Sequence, residues 1–131
     1  MPDFHHRLAS LRDALLRLHK SLLDSERAVY ERDIARITSP GQYLGLVMND
    51  PFFQPLRELS GFIVILDEAL SRRKDPPLTG QETDALIASA RKLLVPAEHG
   101  EGFARRYFEI LQRDPDAVLA HRDILASFEK L

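Results

Sequence analysis

Apolar residues recur along this chain with a helical period and almost nowhere alternate. Leu8, Leu11, Leu15, Leu18, Leu22 and Val29 follow a three-and-four spacing, one stripe of an amphipathic helix. Leu16, Leu23, Tyr30 and Ile37 form a second stripe beside it, and no Gly or Pro interrupts Asp3 to Thr38. The spacing predicts a first helix over about residues 4–37. Asp13 and Arg17 stand four apart with the acid first, the better orientation for a surface pair.

Proline then marks the helix starts. Ser39-Pro40 places a capping residue before a proline at the first helical position, which predicts a short helix over roughly 40–48. Asn49-Asp50-Pro51 breaks it, and a helix of roughly 55–73 follows. Leu56, Leu59, Ile63, Leu66 and Leu70 lie on one of its stripes, with Phe62, Ile65 and Ala69 on another. Pro76-Pro77 cannot continue a helix. Thr79-Gly80-Gln81-Glu82 has the capping-box spacing, and the helix it opens runs to about Val95, with Leu86, Ile87, Ala90, Leu93 and Leu94 inward. After the turn Glu98–Gly102, a helix is expected over about 101–112 through Phe103, Tyr107, Ile110 and Leu111. Asp114-Pro115 opens the last one, about 115–129, expected to bury Val118, Leu119, Leu125 and Phe128. The reading is an all-α, up-and-down-like bundle of four main helices plus short ones, forming a single domain over 1–131.

Composition narrows the function classes. Of 131 residues, 44% are apolar and 29% charged, the balance of a globular protein and not of a disordered one. A net charge of −2 gives no broad basic footprint, so nucleic acid is not an expected partner. The longest apolar run, Phe62 to Leu66, is far short of the roughly twenty residues that span a bilayer, so no membrane association is expected. The N-terminus carries no apolar segment of a signal peptide, which makes the cytoplasm the expected compartment. Without cysteine there is no disulfide, thiolate metal site or cysteine nucleophile. Phosphate-loop, dinucleotide, nucleophile-elbow and H-E-x-x-H patterns are missing, as is the E-x-x-H pair of di-iron bundles. No catalytic residue is assigned and no cofactor or metal is expected.

The unusual feature is a set of polar residues on apolar stripes. His19 and Glu26 fall on the second stripe of the first helix. Asp67 follows Ile63 by four residues, and His121 stands between Val118 and Leu125. Brought together in a bundle core, His19, Glu26, Asp67 and His121 would offer two imidazoles and carboxylates, donors suited to zinc or iron. Read structurally, the same residues form buried ion pairs and hydrogen bonds that fix helix register, since an unpaired buried charge costs several kcal/mol. Arg57, Arg106 and Arg122 are candidate partners, and Asp67 is expected to be buried and paired. Phe52-Phe53 is read as packing under its proline turn, and the basic run Arg72-Arg73-Lys74 as answering the dipole at a helix C-terminus.

The stretch Asn49-Asp50-Pro51-Phe52-Phe53-Gln54-Pro55-Leu56-Arg57-Glu58-Leu59-Ser60, followed by Ile63-Val64-Ile65-Leu66-Asp67-Glu68, resembles a family of small uncharacterised bacterial proteins. Leu18-His19-Lys20 and Glu26-Arg27 are similar to that family as well. The resemblance implies a bacterial, all-helical protein and carries no activity, substrate or catalytic residue.

Two functional classes follow. One is a non-enzymatic structural or protein-interaction module. The other is a bundle that binds a metal or small ligand through His19, Glu26, Asp67 and His121. A helix of about 34 residues spans about 51 Å, against a diameter of about 36 Å for a spherical domain of this length. Apolar surface near one end of the first helix should therefore stay uncovered. A homodimer with first-helix contacts is the expected assembly, alongside a possible further protein partner.

Overall fold

A computed structural model describes residues 3–72 and 77–131. Among them are six α-helices, one 3-10 helix and no strand: α1 (Phe4–Asp33), α2 (Pro40–Asn49), a 3-10 segment (Pro51–Leu56), α3 (Arg57–Ser71), α4 (Gly80–Leu93), α5 (Gly102–Arg113) and α6 (Pro115–Phe128). Helix starts follow the capping chemistry of the sequence. The side chains of Asp3, Ser39, Asp50, Thr79 and Asp114 each accept a backbone N–H of the turn they open. Only half of the expected capping box forms at α4. Thr79 accepts from the Glu82 N–H, while the Glu82 side chain pairs with Arg72 across the gap to α3. Gly100 and Gly102 hold left-handed backbone, which lets the chain turn from α4 into α5. Arg73 and Lys74 of the basic run, with Asp75 and Pro76, lie outside the described residues.

Helix α1 is the axis. It is 30 residues and about 45 Å long, and it packs against α6, α3, α4, α5 and the 3-10 segment in turn. Its buried face runs from Leu8 through Leu11, Ala14, Leu15, Leu18 and Leu22 to Glu26 and Tyr30. The main core joins that face to Leu56, Leu59, Ile63 and Leu66, to Ile87, Ala90 and Leu94, and to Phe103, Tyr107, Ile110, Ala117, Ile124 and Phe128. A second, smaller cluster of Tyr30, Ile37 and Phe53 closes the far end, with Leu23, Tyr43, Leu46, Val47 and Phe52 against it. Phe53 is fully buried under the proline turn, with Phe52 partly exposed beside it.

The structure corrects several boundaries and faces. Helix α1 ends at Asp33, four residues before the expected end. On a continued helix Ile37 would sit about 10 Å beyond Tyr30 along the axis. Leaving the helix lets the chain bend back and bury Ile37 in the same cluster as Tyr30 and Phe53. Pro51–Leu56 forms the 3-10 segment, so α3 begins at Arg57 and stops at Ser71. Helix α4 stops at Leu93, and Val95 is exposed. Leu16 and Ile65 are also exposed, so the second stripes of α1 and α3 are only partly covered. On α6 the buried residues are Ala117, Ile124 and Phe128, whereas Val118, Leu119 and Leu125 face outward. The expected Asp13–Arg17 pair is replaced by contacts from Arg12 to Asp13 at 3.2 Å and to Asp67 at 3.4 Å.

Because Leu18 is fully buried at the centre of α1, Leu18→Ala should destabilise the fold by about 2–5 kcal/mol in urea denaturation. Leu16→Ala, on the exposed face of the same helix, should change it by less than about 0.5 kcal/mol.

Candidate functional site

The most heavily paired buried polar group is Glu26. It is 1% exposed, on the face of α1 that meets α5. Arg106 donates to one carboxylate oxygen and Arg113 to the other. These arginines stand seven apart on α5, two turns of one helix face. Arg106 also donates to the Phe52 carbonyl at 2.8 Å, and its guanidinium lies 5.2 Å from the centre of the Phe52 ring. One carboxylate thus joins α1, α5 and the 3-10 segment. Both oxygens are engaged by guanidinium groups and the side chain is shut off from solvent. The arrangement holds a fixed charge pair and offers no carboxyl able to reach and protonate a substrate.

Asp67 was expected in the core and is not there. Its side chain is 54% exposed at the edge of α3, where Arg12 reaches it at 3.4 Å. The apolar run before it does not fix its direction, because Val64 and Ile65 within that run also face outward. His121 is half-buried on α6 and hydrogen-bonds through Nδ1 to the Tyr107 hydroxyl of α5, with the two rings edge-on and 5.2 Å apart. Tyr107 has no exposed surface. If the imidazole were the donor, the phenol proton would be buried without an acceptor. The phenol therefore donates to Nδ1, and the His121 ring carries its proton on Nε2. Burial pushes the Tyr107 phenol far up from its ordinary value and holds the His121 imidazole below its own. His19, half-buried on α1, is likewise lowered by burial.

The structure does not gather the four candidates. Glu26 is held by Arg106 and Arg113, Asp67 by Arg12 and His121 by Tyr107. Among the described residues no group of three or more His, Asp or Glu side chains is placed to hold one metal ion. Of the candidate arginine partners, Arg106 binds Glu26. Arg57 instead donates to the Val47 and Asp50 carbonyls, at 3.1 and 2.7 Å, and so satisfies the C-terminal end of α2. Arg113 was missed as a partner of Glu26. Its seven-residue spacing from Arg106 on a strongly amphipathic helix was the available signal.

Two surface features complete the picture. A groove of about 570 Å³ runs between the second half of α1 and the α5–α6 turn, with Arg17, Lys20, Asp24, Ser25, Arg113 and Asp116 in its walls. A smaller groove of about 360 Å³ lies between α1 and α2, lined by Leu23, Ile37, Tyr43, Leu44 and Val47, with Arg27 stacked over the Tyr43 ring. No described helix is long and apolar enough to cross a membrane. Compared with protein-family models, curated proteins and solved structures, the chain matches none.

Glu26→Ala should cost about 3–5 kcal/mol, because it strands two part-buried guanidinium groups. Adding Arg113→Ala to that variant should cost less than Arg113→Ala in the wild type, a coupling that a double-mutant cycle in urea reads directly. A pH effect of definite sign follows from His121 and His19. Both are held below the ordinary value of 6.5, so the unfolded chain takes up protons first as the pH falls. Stability should be full above about pH 6.5 and decline below it. The urea midpoint at about pH 5.5 should therefore lie below that at about pH 7.5, a window above most carboxylate titrations. His121→Asn should shrink the difference.

Proposed function

We propose that this chain is a non-enzymatic helical interaction module that docks another protein surface through α2, with a homodimer as its assembly. The observation that carries this reading is α2 itself. None of its ten residues is charged and none is buried. Tyr43, Leu46 and Val47 lean on the second cluster. Leu44 and Met48 point away from it, 59% and 61% exposed. An uncharged helix that leaves two large apolar side chains in water is the pattern of an interaction surface. The groove between α1 and α2 borders Leu44 and extends the apolar area.

The pairing of the candidate polar residues supports the same reading. Glu26, Asp67 and His121 are each engaged by a different partner, as a scaffold requires and a reactive centre does not. A small-ligand reading has one observation in its favour, the groove beside Arg113. Several of its charges are already engaged within the fold, however. Lys20 pairs with Asp24 at 2.7 Å, Arg113 with Glu26, and Asp114 with the N-terminus of α6.

A photo-crosslinking residue at position 44 tests the proposal in living cells. Position 44 should yield adducts of defined mass, containing either this chain or another protein. A probe at Glu98, exposed in the α4–α5 turn, should not. Equal, diffuse labelling from both positions would remove α2 as the docking surface.

A further inference from the structure

We infer that the partner of α2 is a second copy of this chain, its own α2 packed antiparallel across a two-fold axis. This inference rests on the interaction reading above and adds the identity and register of the partner. Gly41, Leu44, Gly45 and Met48 are spaced i, i+3, i+4 and i+7 and so share one face of α2. On that face Leu44 and Met48 are the protrusions. Gly41 and Gly45, lacking side chains, are the low points between them, and a Cβ added at either faces open space. A self-association across a two-fold axis needs bump and hollow on the same patch, each at its partner's complement.

The spacing supplies that match in one register. With the axis passing between Leu44 and Gly45, Leu44 lies opposite the second copy's Gly45. Met48 then lies opposite its Gly41. Both protrusions meet glycines at once, so the two helix backbones can approach closely. Charge favours the same arrangement. Helix α2 has no Asp, Glu, Lys or Arg to bring against its copy, and antiparallel helix dipoles attract. Arg27 of α1, stacked over Tyr43 of α2, is already paired with Glu31 at 2.9 Å.

Area sets the strength. A ten-residue helix is about 15 Å long and about 10 Å across. The face therefore buries a few hundred Å² per copy, below the roughly 800 Å² per partner of a standard stable interface. The dimer is accordingly weak and reversible, with a dissociation constant in the high-micromolar range.

Sedimentation equilibrium from about 10 µM to about 1 mM tests this, because native self-association at this face should appear as a monomer–dimer equilibrium. Gly45→Ala fills the hollow that receives Leu44. It should weaken dimerisation at least tenfold while the melting temperature stays level or rises, since Gly45 is a helix-interior glycine without positive φ. Met48→Asp should also weaken it at least tenfold. The chain has no cysteine, so introduced ones report register. Gly41→Cys mixed with Met48→Cys should form a disulfide between the two variants. Met48→Cys alone should not, because its two copies are about 10 Å apart along the axis, beyond disulfide reach. A monomer at every concentration overturns the inference, as does a dimer indifferent to Gly45→Ala. Faster coupling of Met48→Cys with itself would mean parallel helices and overturns it too. A monomer whose position-44 probe captures a different protein removes this inference and leaves the interaction reading standing.

Discussion

The second half of the molecule is organised by the need to neutralise one carboxylate. Glu26 sits on the buried face of α1, in line with leucines, at a point where water cannot reach it. Leaving it there alone would cost several kcal/mol. Two guanidinium groups answer it, and both come from α5. Their seven-residue spacing fixes the rotation of α5 against α1, because only one face of that helix brings both to the same place. The bond from Arg106 to the Phe52 carbonyl then fixes the 3-10 segment on the same point. Leucine contacts along α1 tolerate small rotations and slides of the helices that cover them. A carboxylate shared by two arginines does not.

That clamp decides where α2 can go. The 3-10 segment carries Phe52 and Phe53 into a cluster with Tyr30, where ring centres lie 5.1 to 5.7 Å apart. Tyr43 of α2 meets Phe53 at 6.1 Å. Arg57 at the start of α3 ties down the carbonyls at the C-terminal end of α2. Helix α2 is therefore held at its C-terminal end and along one edge, with none of the described residues over the face that carries Leu44 and Met48. The apolar cover that α1 needs at this end comes from the aromatic residues and from Ile37. Leu44 and Met48 are thus surplus to the core.

Much of the fold is legible in the sequence because its punctuation is local. Ser39-Pro40, Thr79 and Asp114-Pro115 mark helix starts through side-chain chemistry that acts within one turn. The faces are harder to read. Residues Ala117 to Ala120 and Ile124 to Ala126 put apolar side chains on several sides of α6, and the larger ones suggest the inward face. The helix instead buries Ala117, with Ala14 buried on α1, and small residues allow close approach to the long helix. The candidate site divides in the same way. That Glu26 would be buried follows from its place on a stripe. That Asp67 lies at the rim depends on which of five consecutive apolar residues α3 buries, and their spacing does not say. The partners of Glu26 come from 80 and 87 residues away, so no local pattern names them.

The homodimer expected from the sequence rested on an overhanging α1, and the structure moves the argument elsewhere. A helix that ends at Asp33 instead of near Ile37 loses about one turn, and the bend that follows supplies the cover its end lacked. The surplus apolar surface has passed from α1 to α2, the next element along the chain. This is the consequence of folding Ile37 back. Residues 34–39 are used to return the chain toward Tyr30, so α2 arrives at a cluster already closed by Ile37 and Phe53. It can contribute only one edge to it, through Tyr43, Leu46 and Val47. A ten-residue helix whose only polar side chains are Gln42 and Asn49 has little polar surface to turn outward, so much of what is left over is apolar. The exposed Leu44 and Met48 are the remainder of that packing, with Gly41 and Gly45 beside them on the same face.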